Sequence, residues 1–418
     1  MGTTKKLILR NYQSPGDLVM LTAAVRDLKR WHPGEFLIDV RTSCSQIWEN
    51  NPYLTPLDDG DPEARVITCH YPLIQQSNQL PYHFIHGFID YLNEVLDLRI
   101  RPTAFKGDIH LSEAEKSGPS PVAELAGYEG RYWIVAAGGK QDFTIKWWDI
   151  RRYQKVVDHF RGRLQFVQIG AQGHYHPELS GVIDLRARTD LRQLIRLIHH
   201  SDGVLTPVNL PMHLAAAIET TEPIEEWRNK PIARPCVVIA GGRESPHWEA
   251  YPNHQFLHTV GMLPCCRTGG CWRSRTVPLV DKSEKNHPEH LCVDVVGGLP
   301  RCMHMITAEN VIERIEMYLA GRVGWPSIDL GLAPRVPVSI KPPIPGGLSR
   351  QNARRMQEQF IATIPQPSKQ HSGRGIVICA GGYKYFVCAW VCINMLRRLG
   401  CTLRSNSGIL GSRKSMGR

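Results

Sequence analysis

The stretch Lys6-Leu7-Ile8-Leu9-Arg10-Asn11-Tyr12-Gln13-Ser14-Pro15-Gly16-Asp17-Leu18 decides the fold. It starts as an apolar strand, turns at Pro15-Gly16 and enters residues 17–30, where apolar side chains recur at helical spacing. The pattern repeats along the chain, with further strands predicted at 36–40, 65–69, 132–137, 164–169, 203–205 and 236–240 and helices at 84–98, 148–160, 189–200, 212–218 and 308–319. Strands that alternate with helices predict an α/β fold with parallel sheets.

Composition divides the chain into four segments. Residues 112–130 lack apolar periodicity, so we predict one domain at 1–125 and a second at 126–320, with a cleft between them. Ligands of such sheets bind outside the carboxyl ends of the strands. Residues 321–373 form a Pro-rich linker. Residues 374–418 resume with an apolar strand and Gly381-Gly382 but are too short for an independent α/β domain. We interpret them as a truncated extension and attribute their final part, 404–418, to a shifted reading frame.

The distribution of charge argues against nucleic acid as a partner. The formal net charge is +11, but residues 321–418 hold 15 basic residues against Asp329 and Glu358. Residues 1–320 carry 35 basic and 37 acidic residues, so the body has a slight negative charge. The apolar run at 385–396 is too short to span a bilayer, and the N-terminus has too few apolar residues for a signal peptide. We therefore predict a cytoplasmic protein without a transmembrane segment.

Gly16 and Asp17 are the first candidate site residues. A glycine turn leaves the tip of the first strand and delivers a carboxylate to the start of a helix, facing the predicted cleft. Aspartate is also among the best helix N-cap residues. The sequence therefore leaves two readings of Asp17 open, a site carboxylate and a plain cap.

A second candidate is an anion site after the strand at 132–137. The strand leads into Gly138-Gly139-Lys140, where backbone amides can approach a pyrophosphate and Lys140 can supply a point charge. Lys146 follows beside two tryptophans. The alternative is a solvated lysine next to a helix.

A third candidate begins where the strand at 203–205 ends. Thr206 and Pro207 open a turn, and a helix of small residues begins near His213. The free N–H groups and dipole of such a helix favour phosphate. The alternative is a structural histidine with satisfied hydrogen bonds.

Five of the twelve cysteines lie in residues 262–305: Cys265, Cys266, Cys271, Cys292 and Cys302. From Cys266 onward, four, twenty and nine residues separate successive cysteines, a spacing that favours a tetrathiolate site for structural Zn or Fe. This segment is polar and lacks the apolar content to fold unaided, so a metal would replace the missing core. Unrelated buried thiols are the alternative.

Residues 6–320 resemble the heptosyltransferase family, glycosyltransferase family 9. The resemblance rests on the first strand with Gly16-Asp17, on Lys146-Trp147, on residues 183–191 with the helix after them, and on Met212-His213 at a helix start. Residues 206–211 depart from the family, whose members commonly carry Asp-Ser/Thr-Gly-Leu before the histidine. The cysteine segment is similar to the metal finger of bacterial autotransporter heptosyltransferases, a branch of this family. Residues 375–403, with Gly381-Gly382 after a strand, resemble the start of a second glycosyltransferase-like domain, which residues 374–418 would contain in truncated form.

The resemblance implies a GT-B fold, in which two Rossmann-like domains face a cleft. It implies inverting transfer of a sugar, such as heptose, from a nucleotide-diphosphate donor, such as ADP-heptose, to a saccharide or protein hydroxyl, as in lipopolysaccharide biosynthesis. Asp17 would then be the general base, Lys146 the pyrophosphate contact and residues 206–213 the donor-phosphate turn. A peripheral position at the inner membrane is compatible with these assignments.

Two other classes of protein compete with this interpretation. A nicotinamide-dependent oxidoreductase needs Gly-x-Gly-x-x-Gly after its first strand, whereas residues 12–17 contain one glycine. A zinc-finger protein that binds nucleic acid needs positive charge around its cysteines, and here the charge lies beyond residue 320.

Overall fold

The computed structural model describes residues 4–71, 74, 76–220, 234–321, 375–380 and 404–409. The chain divides into a compact unit of residues 1–333 and a second unit of residues 334–418, and each unit is described by itself. The first unit contains the two larger parallel sheets and every predicted site residue.

The first sheet, as far as the described residues show, has three parallel strands in the order β2-β1-β3. They are β1 (Lys5–Asn11), β2 (Phe36–Thr42) and β3 (Ala64–Thr68). Parallel strands need a crossover connection, and α1 (Pro15–Trp31) supplies it between β1 and β2, while α2 (Ile85–Leu96) follows β3. The apolar side chains of the central strand β1 are fully buried.

Helix α1 begins two residues before the start that the apolar spacing predicts. Ser14 is the N-cap residue, and Pro15 takes the first helical position, where a missing N–H breaks no intrahelical hydrogen bond. The Asp17 carboxylate accepts a hydrogen bond of 3.0 Å from the backbone N–H of Ser14. Asp17 is therefore not the N-cap, but the third helical residue of a capping box.

Two short helices occupy the segment in which we predict the domain boundary. They are α3 (Glu113–Ser117) and α4 (Pro121–Ala126). The side chains of Pro121 and Val122 are buried, and serine N-caps start both helices. The division of the body into domains 1–125 and 126–320 stays a prediction.

The second sheet contains six parallel strands in the described part of the chain, in the order β6-β5-β4-β7-β8-β9. They are β4 (Tyr132–Val135), β5 (Gln165–Gln168), β6 (Ile183–Asp184), β7 (Gly203–Pro207), β8 (Cys236–Gly241) and β9 (His254–His258). The helices among them are α5 (Ile150–Phe160), α6 (Leu191–His199), α7 (Leu210–Ala217) and α8 (Pro246–Glu249). Strands β6 and β9 are not predicted from the sequence. They lie at the two edges of this sheet and lack a long apolar run.

The cysteine segment follows the second sheet and has little regular structure. Short 3-10 turns at Pro264–Cys266, Glu284–Asn286 and Pro288–His290 precede a small hairpin of β10 (Val295–Val296) and β11 (Leu299–Pro300). Helices α9 (Arg301–His304) and α10 (Ala308–Leu319) then complete the body. The predicted helix at 308–319 is thus confirmed with the same bounds.

One apolar core joins the two sheets. It includes Leu9 of β1, Val25 of α1, Ile134 of β4 and Leu214 of α7, all fully buried. Helix α1 packs against α7, so the N-terminal turn of α1 lies beside the N-terminal half of α7. A second core lies between the large sheet and helices α5 and α10.

The second unit contributes a parallel pair of strands, β12 (Gly375–Ala380) and β13 (Arg404–Ile409). The predicted strand at 375–382 is confirmed over most of its length. The predicted linker, apart from Gly321, and the apolar helix after β12 lie outside the described residues. Among the described helices, none combines the length and the apolar character that crossing a membrane requires.

Candidate active site

The Asp17 carboxylate is fixed at both of its oxygens. Oδ2 accepts the backbone N–H of Ser14 at 3.0 Å, and Oδ1 accepts the hydroxyl of Tyr71 at 3.2 Å. Burial raises the pKa of Asp17, while Tyr71, Ser14, Lys146 and Lys140 all lower it. The carboxylate is thus partly desolvated and still supported in its ionised form.

Tyr71 is a site residue that the sequence analysis misses. Its ring packs edge-on against Phe84 and Phe88, with centroids 4.9 and 5.2 Å away. Gly87 makes this packing possible, because a Cβ at position 87 would lie 2.7 Å from the Tyr71 Cβ. Helix α2 therefore orients the tyrosine hydroxyl toward Asp17.

Gly16 brings the start of α1 into contact with His213 on α7. A Cβ at position 16 would lie 3.0 Å from Cδ2 of the His213 ring and 3.4 Å from its Nε2. The absence of a side chain lets the ring lie directly against the backbone of the turn. The first and third candidate segments of the sequence therefore meet in the structure.

The His213 side chain is buried and neutral. Its Nδ1 lies 2.7 Å from the hydroxyl of Tyr251, which lies in turn 3.2 Å from the sulfur of Met20. Burial, followed by the charge of Lys146, lowers the pKa of His213 to about 3. At neutral pH the imidazole can therefore hydrogen bond but adds no positive charge.

Thr206 and Pro207 close the carboxyl end of β7 and are buried. The Thr206 hydroxyl donates to Oδ1 of Asn209 at 2.5 Å. Asn209 is the N-cap residue of α7, yet its side chain makes no capping hydrogen bond to the helix. In the first turn of α7, Pro211 has no N–H and the Met212 N–H donates to the Asn209 carbonyl at 3.1 Å, so the Leu210 N–H is the donor that no side-chain cap takes up.

Gly139 and Lys140 lie across from the start of α1. The Lys140 ammonium lies 3.5 Å from the Ser14 hydroxyl, which links this loop to the first sheet. The Gly139 N–H donates to the carbonyl of Tyr175 at 2.8 Å. The Gly139 N–H, which we predict to contact an anion, thus has a hydrogen-bond partner within the protein. Its contact with an anion stays a prediction.

Lys146 forms the centre of a buried group of charges. Its ammonium lies 2.8 Å from Oε1 of Glu244, whose carboxylate also pairs with Arg243. Burial lowers the pKa of Lys146 and Arg243 lowers it further, while the carboxylates of Glu249 and Asp17 oppose this shift. Asp17 and Lys146 therefore lie within electrostatic reach of each other, although Asp17 follows a strand of the first sheet and Lys146 a strand of the second.

Aromatic rings enclose the cations of this group. Arg243 lies between the rings of Phe143 and Trp272, 4.9 and 5.5 Å from their centroids. These three residues, with Ser274, Ser283, Glu284, Lys285 and His290, line an open cavity of about 420 Å³. The sequence analysis misses Arg243, Glu244 and Glu249, although they follow β8 at the sheet edge where ligands bind.

The five cysteines converge in part around Gly242. A Cβ at that position would lie 3.1 Å from the Cys266 sulfur and 3.2 Å from the Cys302 Cβ. Burial raises the pKa of the Cys265, Cys271, Cys292 and Cys302 thiols. All five are free cysteines. Across the described ranges, no three His, Cys, Asp or Glu side chains are arranged to hold a metal ion.

Comparison with solved structures identifies chains of similar fold. A scan of protein-family models finds no match, and no curated protein matches the sequence. A glycosyl transferase family 9 structure from Veillonella parvula DSM 2008 superposes with a TM-score of 0.51 at 13% identity, covering 75% of this chain and 96% of that one.

Two further structures are similar at lower scores. E. coli ADP-heptose lps heptosyltransferase II has a TM-score of 0.47 at 16% identity, with 75% of this chain and 98% of that one covered. The iron-containing dodecameric glycosyltransferase TibC from enterotoxigenic E. coli H10407 has a TM-score of 0.46 at 15% identity, with 75% of each chain covered. The resemblance to glycosyltransferase family 9 that the sequence motifs indicate is thus confirmed at the level of the fold.

Proposed function

We propose that the protein is an inverting glycosyltransferase. It would transfer a sugar, heptose, from a nucleotide-diphosphate donor, ADP-heptose, to a hydroxyl of a saccharide or protein acceptor. The observation that carries the proposal is the convergence at one place of a partly desolvated carboxylate on α1, a lysine from the second sheet and the start of α7. Support for the fold comes from the family 9 structure.

Asp17 would act as the general base. An acceptor hydroxyl has a high pKa, so it needs a proton acceptor while its oxygen attacks the anomeric carbon. Each Asp17 oxygen accepts one hydrogen bond from the protein. A carboxylate has further lone pairs, which can accept a hydrogen bond from a substrate hydroxyl. Attack on the face opposite the leaving diphosphate inverts the anomeric configuration.

The second sheet would stabilise the leaving diphosphate. Lys140 and Lys146 supply positive charge, and the start of α7 supplies the backbone N–H of Leu210 and the helix dipole beside Thr206 and Pro207. Such groups favour an anion through hydrogen bonds and the helix dipole. His213 would contribute a neutral hydrogen bond, and Gly16 would allow the two segments to approach. In this assignment the domains 1–125 and 126–320 carry the acceptor and donor sides of a cleft.

The cysteine segment would hold a structural Zn or Fe ion. Four thiolates suit either metal, and Cys266 and Cys302 already flank Gly242. However, the Cys266 thiol lies 3.5 Å from the carbonyl of Thr259 and the Cys292 thiol 3.3 Å from that of Asp294. The side chains as arranged do not form a ligand set, so no step of the transfer is derived from a metal.

Thermal-shift measurements with ADP, GDP, UDP and NAD test the proposed function. A nucleotide at 100 times its Kd stabilises the folded protein by about 2.7 kcal/mol, enough to raise the melting temperature by several degrees. We expect ADP to raise it most and NAD to have no effect. Stabilisation by NAD alone would favour the oxidoreductase instead.

The proposal also places the protein in the cytoplasm, with a peripheral position at the inner membrane.

A further inference from the structure

Glu249 is a buried carboxyl whose presence the transfer step above does not explain. It is the last residue of α8 and is 6% exposed. Its Oε2 has no hydrogen-bond partner in the structure as described. A buried carboxylate oxygen without a partner is unfavourable because its lost hydration is not compensated, so it is a group that a ligand can satisfy.

Helix α8 holds Glu249 firmly in place. The Trp248 ring stacks on Phe84 with centroids 5.1 Å apart, and the Trp248 carbonyl accepts the Phe84 N–H at 2.7 Å. Phe84 also packs against Tyr71, the partner of Asp17. The backbone around Glu249 is therefore tied to the same aromatic group that positions the candidate base.

Glu249 is not explained as the ion-pair partner of a neighbouring cation. Lys146 and Arg243 both form their close ion pairs with Glu244, and within the described ranges Glu249 has no ion pair. It still lies within electrostatic reach of Lys146, Arg243 and Asp17. The chain of contacts from Trp248 through Phe84 and Tyr71 to Asp17 places Glu249 in the same region as the candidate base.

A carboxylate can bind some parts of a nucleotide-sugar ligand and not others. A phosphate repels it, whereas a sugar hydroxyl can donate a hydrogen bond to it. The sugar of a nucleotide-diphosphate donor lies between its diphosphate and the attacking hydroxyl. A carboxylate within electrostatic reach of both Asp17 and Lys146 is therefore suited to the transferred sugar rather than to the diphosphate.

We propose that Glu249 binds the transferred sugar, with its Oε2 accepting a hydrogen bond from a hydroxyl of that sugar. The inference rests on the proposed function and adds a residue that distinguishes the sugar from the nucleotide. The neighbouring Glu244 has an unpartnered Oε2 as well, but its other oxygen is committed to two cations. Glu249 is therefore the residue to test.

Isothermal titration with ADP and with ADP-heptose tests this assignment. We expect Glu249→Gln to weaken ADP-heptose binding about tenfold, because a hydrogen bond to a charged group contributes about 1.5 kcal/mol or more. The affinity for ADP should change less than twofold. Glu313→Gln, on the exposed face of α10, is the matched control and should change neither affinity.

Equal weakening of ADP and ADP-heptose binding, or no weakening of either, would overturn the assignment. If Glu249→Gln does not fold, Glu249→Asp keeps the charge but withdraws the oxygen by one methylene, and it should show the same selective loss. A wild-type protein that binds neither ligand would refute the proposed function, and this inference with it. Wild-type binding with an unaffected variant would refute the role of Glu249 alone.

Discussion

At the scale of single residues, the hydrogen bond between Tyr71 and Asp17 sets the proton affinity of the candidate base. Burial raises the pKa of Asp17, and the tyrosine hydroxyl is the strongest of the groups that oppose this. A carboxylate that is desolvated but supported in this way accepts a proton more readily than a solvated one. The base can only act while it is ionised, so activity should fall as pH drops through its pKa.

Tyr71→Phe should move the acidic limb of the kcat/KM profile to higher pH by about one unit. Loss of the hydrogen bond removes about 0.5 to 1.5 kcal/mol of support for the carboxylate, and one pKa unit corresponds to about 1.4 kcal/mol. The measurement is the pH dependence of transfer, followed from acidic to neutral pH. Tyr91→Phe, on α2, is the control. An unshifted limb would separate Tyr71 from Asp17.

At the scale of elements, the residues that orient the site come from segments with weak sequence signals. Glu249 lies on the four-residue helix α8, and Tyr71 lies between β3 and α2. Strand and helix periodicity predict β1, α1, β7 and α7, and with them Asp17 and His213. Periodicity contains no information on which side chains of intervening loops turn inward, so Tyr71 and Arg243 could not be predicted.

The cysteine segment, residues 262–305, is the element in which we propose a structural metal. If it holds a metal, Cys271→Ser should reduce the bound Zn or Fe, measured by mass spectrometry, from about one ion per chain to nearly none. The melting temperature should fall more than the rate of transfer does at low temperature. Cys44→Ser, outside the segment, should retain the metal. Purified wild-type protein without Zn or Fe would end the hypothesis.

At the scale of the whole molecule, packing of α1 on α7 brings the two sheets together at the site. Gly16 and His213 lie in van der Waals contact, and apolar side chains from both sheets form one core. Alternating strands and helices are sufficient to predict two parallel sheets. The relative orientation of the two sheets, which places Lys146 near Asp17, depends on side-chain packing between helices. No local sequence pattern contains that information.

The measurement that tests the central claim most directly compares transfer and nucleotide binding in Asp17→Asn. The amide keeps the shape of the side chain but cannot accept a proton, so kcat should fall by about 10² to 10⁴, while the Kd for ADP should stay within about threefold. Asp97→Asn, an exposed substitution at the left-handed C-cap of α2, should leave both unchanged. Retained turnover in Asp17→Asn would contradict the account.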